Sequence, residues 1–200
     1  MIDFEKDYIL ENERVLLRPL KAEDFDALLE YATNEPETWD FNAFGASGGE
    51  NLKAYITTAL THRAGKTEYP FIVVDKTDNK IVGSTRFYMI NSITNTLELG
   101  YTWYGKKYRG TSINKNCKYL LLEFAFDVLN VERVGFRANN LNKRSINAMK
   151  SIGCVEEGVL RNRSIDGKGH RMDVIVLSII KQEWFESVKQ TLFNLSTTSC

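Results

Sequence analysis

The sequence predicts an α+β fold in which one mixed, mostly antiparallel central sheet is flanked by helices. Three observations carry that prediction. Strand-like runs follow one another at Tyr69–Asp75, Lys80–Ile90 and Thr96–Trp103, with Lys76-Thr77-Asp78-Asn79 as a turn between the first two, which predicts an antiparallel meander. Cys117, Leu120, Leu121, Phe124, Ala125 and Val128 recur at the spacing of one apolar helix face, and that face must pack on a sheet. After this helix, short strand and helix patterns alternate, so the later half reads as βαβαβ elements on the same sheet.

Each element has its own signal. Arg14 to Leu20 alternates into a first strand, and Phe25, Leu28, Leu29 and Ala32 then fall at helical spacing. Asn34 to Gly49 mixes aromatic residues with Pro, Gly and Asn, so it reads as a long loop entering a second helix from about Glu50 to Ala64. Arg133 to Ala138 is a short strand. Asn142 to Ile152 is a short helix stopped by Gly153, and Cys154 to Leu160 is another strand. Arg171 to Ile180 reads as a buried strand and Gln182 to Phe193 as the terminal helix. The expected organisation is a single domain over residues 1–195 followed by a loose tail, 196–200.

Composition narrows the function classes. With 200 residues, 43% hydrophobic and 26% charged, the chain can bury a sizeable core. Its 26 basic residues balance its 26 acidic ones, so there is no global field toward nucleic acid or an anionic membrane. Any anion site must be local. No window is apolar enough to span a membrane, and the first residues lack a basic-then-apolar leader pattern; the reading is a cytoplasmic protein. Cys117, Cys154 and Cys200 fit neither a disulfide framework nor a metal motif, and the first two fall on expected core faces. His62 is expected on the surface of the second helix. His170 could edge a binding site, and the two His residues do not make a metal site.

The most unusual stretch is Lys106-Lys107-Tyr108-Arg109-Gly110-Thr111-Ser112-Ile113-Asn114-Lys115-Asn116-Cys117-Lys118. It surrounds an expected helix start with cations, although the positive end of a helix dipole favours acids. One reading is a solvated helix face. The other is an anion site: unpaired N–H groups at a strand-to-helix junction, a glycine that allows close approach and no acid before Glu123 are what a phosphate needs. The Walker and GxGxxG patterns are absent.

From "RVLLRPLKAEDFDALLEYA" through "LELGYTWYGKKYRGTSINKNCKYLLLEFAF" and "RVGFRANNLNKRSINAMKSIGCVEEGVLR" to "HRMDVIVLSII", the sequence resembles the GNAT superfamily of acyl-coenzyme A-dependent N-acetyltransferases. Within it, the resemblance is closer to the branch that acetylates ribosomal-protein N-termini. It implies the GNAT fold and acetyl-coenzyme A as cosubstrate. In that family, [Q/R]xxGx[G/A] binds the coenzyme pyrophosphate, which places Arg109, Gly110, Thr111, Ser112, Ile113 and Asn114 at the phosphates. Ser112 stands where the pattern has glycine. Its Cβ predicts either crowding and resistance to a positive φ, or one more hydroxyl donor. Backbone N–H groups near Tyr101, Thr102 and Trp103 would, by the same resemblance, align the pantetheine arm.

Acetyl transfer to an amine needs a neutral nucleophile and a proton for the leaving sulfur. Strand alternation puts Leu97, Leu99, Tyr101 and Trp103 on one face and Glu98 with Gly100 on the other. Glu98 is then either a solvated or cross-strand-paired carboxylate on a polar face or, as family members commonly use a Glu on this strand, the general base. Ser145 shares its helix face with Ala148, Met149 and Ile152. Its hydroxyl either bonds back to the Leu141 carbonyl or, matching the branch's NxxS motif, meets the coenzyme sulfur. Asn142 reads both as helix N-cap and as pantetheine contact. The acceptor pocket is expected between the loop with Trp39, Phe41 and Phe44 and the loop from Arg163 to His170.

The leading acceptor is a protein N-terminal α-amino group, ribosomal proteins included. A polyamine or aminoglycoside acceptor, and a noncatalytic binding module of the same fold, are the alternatives. No nucleic-acid, membrane or metal partner is expected, and a homodimer is left open.

Overall fold

The computed structural model describes residues 1–40, 45–166 and 169–197. Eight strands form one sheet in the order β1-β2-β3-β4-β5-β6-β8-β7. They are β1 Leu10–Glu11, β2 Val15–Pro19, β3 Tyr69–Asp75, β4 Lys80–Asn91, β5 Thr96–Tyr104, β6 Arg133–Asn139, β7 Val155–Ile165 and β8 Arg171–Ile180. The pair β5–β6 is parallel and the other pairs are antiparallel. The expected mixed, mostly antiparallel sheet is present, with β1 as an addition too short to show periodicity.

Helices α1 Phe25–Asn34 and α2 Gly49–Ala64 cover one face. Tyr31 of α1 meets Trp103 of β5 at 5.9 Å between rings, and Arg86 of β4 lies 4.7 Å from the Tyr55 ring of α2. Helix α3 Ile113–Glu123 covers the other face and runs into a π-helical turn, Phe124–Val128. Phe124 there stacks on Phe87 of β4 at 6.3 Å. The apolar spacing predicted Val128 on the buried face, yet it is 66% exposed. The wider π turn shifts the angular position of the last residues, which ends the stripe at Ala125.

Helix α4 Lys143–Lys150 follows β6, and Gly153, at φ +95°, ends the turn beyond it. At the C-terminus α5 Lys181–Glu183, a π turn Trp184–Val188 and α6 Lys189–Thr197 follow in direct succession. Two elements run well past their expected ends. Strand β7 extends to Ile165 rather than Leu160, pairing with β8 across a register shift where Asn162 takes φ +58°. The terminal helix enters the segment read as tail: Ser196 is buried and its carbonyl accepts from Asn116 Nδ2 at 3.0 Å. Residues 198–200, including Cys200, lie outside the described residues.

Strands β4 and β5 approach closely at Gly83, which is paired with Tyr104. A Cβ at Gly83 would stand 2.2 Å from the Trp103 carbonyl oxygen, so a side chain there must push the two strands apart. Gly83→Ala is expected to cost about 2 kcal/mol of unfolding free energy, measured by urea denaturation.

Candidate active site

Strands β5 and β6 pair only at Thr96–Arg133, Leu97–Val134 and Glu98–Gly135, and then part. Just beyond, the β4–β5 register passes from Arg86–Gly100 to Ser84–Trp103, which leaves one extra residue on β5. Tyr101, at φ +51°, sits in this bulge. The bulge reverses the alternation read from the sequence. Tyr101 and Trp103 join Glu98 and Gly100 on the α1/α2 face, where Tyr101 contacts Tyr88 and the Arg86 guanidinium, while Thr102 turns to α3. Arg86 is itself fixed by Glu68 at 2.7 Å.

A cavity of about 490 Å³ fills the opening between the parted strands. Its walls include Gly100 to Tyr104 of β5, Phe136 to Asn139 of β6, Ser145, Ala148 and Met149 of α4, and Arg109, Gly110 and Asn114 at the start of α3. Arg109, Lys118, Arg137, Arg144 and Arg163 line it, and among the described residues no carboxylate does. Arg109 and Arg137 are paired with Glu35 and Glu98 behind the wall, while Lys118, Arg144 and Arg163 have no ion pair among the described residues, so a chain without net charge carries an excess of positive charge here.

The basic segment forms the cavity mouth. Gly110 takes φ +77°, which favours glycine, and a Cβ there would meet nothing within 4 Å. The N-cap residue Ser112 makes no side-chain cap, the Thr111 hydroxyl accepts only a long 3.4 Å bond from Ile113 N, and no acid stands in the first turn. Ser112 adopts φ −65°, ψ −14°, so it needs no positive φ and that objection to a serine here does not apply. Thr111, Ser112 and Ile113 do not line the cavity: the Thr111 hydroxyl donates to the Tyr108 carbonyl at 2.7 Å, and Ile113 is core. The Arg109 side chain turns away from the helix start. Its Nε donates to the Tyr104 carbonyl at 2.9 Å, and its other end meets Thr38 and Glu35. Burial and the neighbouring Arg144 cation hold its pKa below the usual guanidinium value. Arg144 is a site residue that motif reading missed, because it occupies a variable position inside NxxS.

Asn116, one turn into α3, is a junction. Its Nδ2 donates to the Ser112 and Ser196 carbonyls, at 2.9 and 3.0 Å, while its Oδ1 accepts from Asn12 at 2.7 Å.

Glu98 is buried and paired across the strands. Arg137 Nε and Nη2 both reach its Oε1, at 2.9 and 2.7 Å, and its Oε2 is buried without a hydrogen bond. Glu98 does not itself line the cavity; Tyr88 and Arg137 do. Burial and the Glu98 charge push the Tyr88 phenol well up, so it stays a neutral hydroxyl at physiological pH. Both neighbours share the Glu98 face by strand alternation, but the register that brings them together is nonlocal and is not visible in sequence.

Asn142 caps α4, its Oδ1 accepting from Ser145 N at 3.1 Å, and it also lines the cavity. The Ser145 hydroxyl has no hydrogen bond to the Leu141 carbonyl and stands on the cavity wall with Ala148, Met149 and Ile152.

Trp39 lines the cavity and packs edge-on against Trp103 at 4.9 Å, whereas Phe41 and Phe44 lie outside the described residues. Of the segment read as the second loop, Arg163 and Ser164 belong to the end of β7 and reach the cavity, and His170 pairs with Asp166 at 3.1 Å. His62 pairs with Glu68 at 3.0 Å. Cys117 and Cys154 are buried, and burial pushes both thiols up to about 12, so neither is a thiolate nucleophile at neutral pH.

The acetyltransferase (GNAT) domain family matches residues 14–155 of the chain. The chain belongs to the GNAT acetyltransferases. An uncharacterized N-acetyltransferase of Bacillus licheniformis, p20, is 25% identical over 175 residues, covering 88% of this chain and 97% of the relative. A GCN5-related N-acetyltransferase from Brucella melitensis superposes with a TM-score of 0.86 at 22% identity, covering 94% of this chain and 85% of that one. A ribosomal-protein-S5-alanine acetyltransferase from Vibrio fischeri does so with a TM-score of 0.71 at 20% identity, covering 89% and 99%. At those identities the two structures speak for the fold. The family assignment makes this GNAT protein an N-acetyltransferase, and GNAT enzymes use acetyl-coenzyme A. The cavity suits that polyanion: its charged wall residues are all cations, its helix start is uncapped and Gly110 leaves open space.

Lys118, the last cation of the basic segment, also belongs to this wall. It is buried, its Nζ bonds Thr102 Oγ1 at 3.0 Å, and burial pushes its amine down to about 8. The unfolded chain keeps this amine protonated to about pH 10.4, so Lys118 costs stability at neutral pH. That cost fades as pH rises from 8 toward the unfolded value. Lys118→Met is expected to raise the unfolding free energy at pH 7 by about 1–3 kcal/mol, with the gain disappearing by about pH 10.5 in paired urea titrations.

Proposed function

We propose that this GNAT enzyme acetylates the α-amino group of a peptide or protein N-terminus, by direct attack in a ternary complex with acetyl-coenzyme A. The observation that carries the reading is a cavity wall with five cations and, among the described residues, no carboxylate. A polyamine or aminoglycoside brings several ammonium groups, which such a wall repels and no acid on it holds. An α-amino group has a pKa near 8 and is partly neutral already, so it needs only a modest base.

The roles follow from position. The coenzyme would supply the activated acetyl thioester. Gly110, Asn114 and the uncapped start of α3 hold its phosphates with Arg144, while Arg109 braces the mouth through Tyr104, Thr38 and Glu35. Beyond Glu98 the β5 edge is unpaired with β6, leaving the stretch Tyr101, Thr102 and Trp103 to align the pantetheine arm. Glu98 takes the proton of the acceptor amine through an intervening group, because Tyr88 and Arg137 stand between it and the cavity. The Ser145 hydroxyl serves the leaving sulfur.

The test pairs calorimetry with turnover. Glu98→Gln is expected to bind acetyl-coenzyme A within about twofold of the unaltered enzyme while kcat falls by about 100-fold. Ser- and Ala-initiated peptides, those of ribosomal-protein N-termini first, are expected to outperform spermidine and kanamycin in kcat/KM. Higher kcat/KM for either polycation would overturn the acceptor assignment.

A further inference from the structure

The cations of the cavity wall do not all have the same partners. Arg137 is held by Glu98 and Arg109 by Glu35, while Arg144 and Arg163 are exposed to solvent. Lys118 has neither arrangement. It is 6% exposed, it has no ion pair among the described residues, and its hydrogen-bond partner is the neutral Thr102 hydroxyl. That hydroxyl also meets Thr85 at 2.7 Å, so the threonine is provided for without the lysine.

An ammonium has three N–H donors, and Thr102 takes one. The ring of Phe136 lies 5.6 Å from Nζ, a contact that offsets part of the desolvation. The nearby Cys117 and Cys154 thiols are neutral and supply no counter-charge. Two donors of a buried cation therefore remain for something that enters the cavity. Thr102, Phe136 and Lys118 all line it where β5 and β6 have parted. The phosphate-binding groups lie elsewhere, at the mouth.

We propose that Lys118 is a binding residue for the pantetheine arm of the coenzyme, its free N–H donors holding the amide carbonyl oxygens of that arm. This rests on the reading of the cavity as an acyl-coenzyme A site. An amide carbonyl is a strong acceptor that loses water on entering the cavity, and a charged donor is the partner that repays its desolvation. It also accounts for a lysine kept at a position where an apolar side chain would stabilise the fold.

The experiment is isothermal titration of the full chain and its Lys118→Met variant with coenzyme A and with adenosine 3′,5′-bisphosphate, which has phosphates and base but no arm. Urea denaturation of the variant checks that it is folded. The expected result is coenzyme A binding weakened about 10- to 100-fold in the variant, with bisphosphate binding unchanged within twofold. Equal weakening of both ligands would make Lys118 a general attractor of phosphate charge and overturn the proposal; so would no weakening of either. Failure of the unaltered chain to bind coenzyme A would instead overturn the acyl-coenzyme A reading together with this inference.

Discussion

The structure depends on a pairing that stops. Parallel strands need a long crossover between them, and here the crossover is the basic segment followed by α3. Once β5 and β6 have paired at three residue positions, the Tyr101 bulge turns β5 away and leaves the facing strand edges unpaired. Backbone groups at such an edge require partners. A ligand lying between the strands can complete the sheet, and the same divergence sets the start of α3 at one end of the gap and the Glu98 pair at the other.

Charge is sorted around this gap. Elsewhere the chain neutralises its arginines locally, with Arg14 on Asp75, Arg18 on Asp24 and Arg86 on Glu68. Around the gap Arg109 and Arg137 are paired in the same way, but Arg144 and Arg163 have no ion pair among the described residues and a buried lysine is carried there with a hydroxyl for company. Such sorting is invisible to net charge. It concentrates attraction for a polyanion in one place while the remaining surface stays balanced.

The fold was legible because its signals are local. The meander, the apolar face of α3 and the Asn142 to Gly153 helix unit can each be read within a dozen residues, and the elements appear where those patterns place them. The family motif located the cavity mouth, Ser145 and Asn142. What the sequence hid was nonlocal or conformational. A single positive φ at Tyr101 reversed the alternation that strand reading assumes, and a π turn carried Val128 out of the core. Glu98 was legible as a paired carboxylate or a base on the polar face of its strand, but its burial behind Tyr88 and Arg137 depends on two strand registers and could not be counted out along the chain.

Asn116 gives the mouth of the cavity an unexpected connection. Its one amide side chain joins the segment before β2, the first turn of α3 and the last turn of α6. Asn12, ahead of β2, and Ser196, in the last turn of α6, are therefore both tied to the helix whose start lines the cavity mouth. The two segments act as guy-lines on the cavity mouth, made fast at a single side chain.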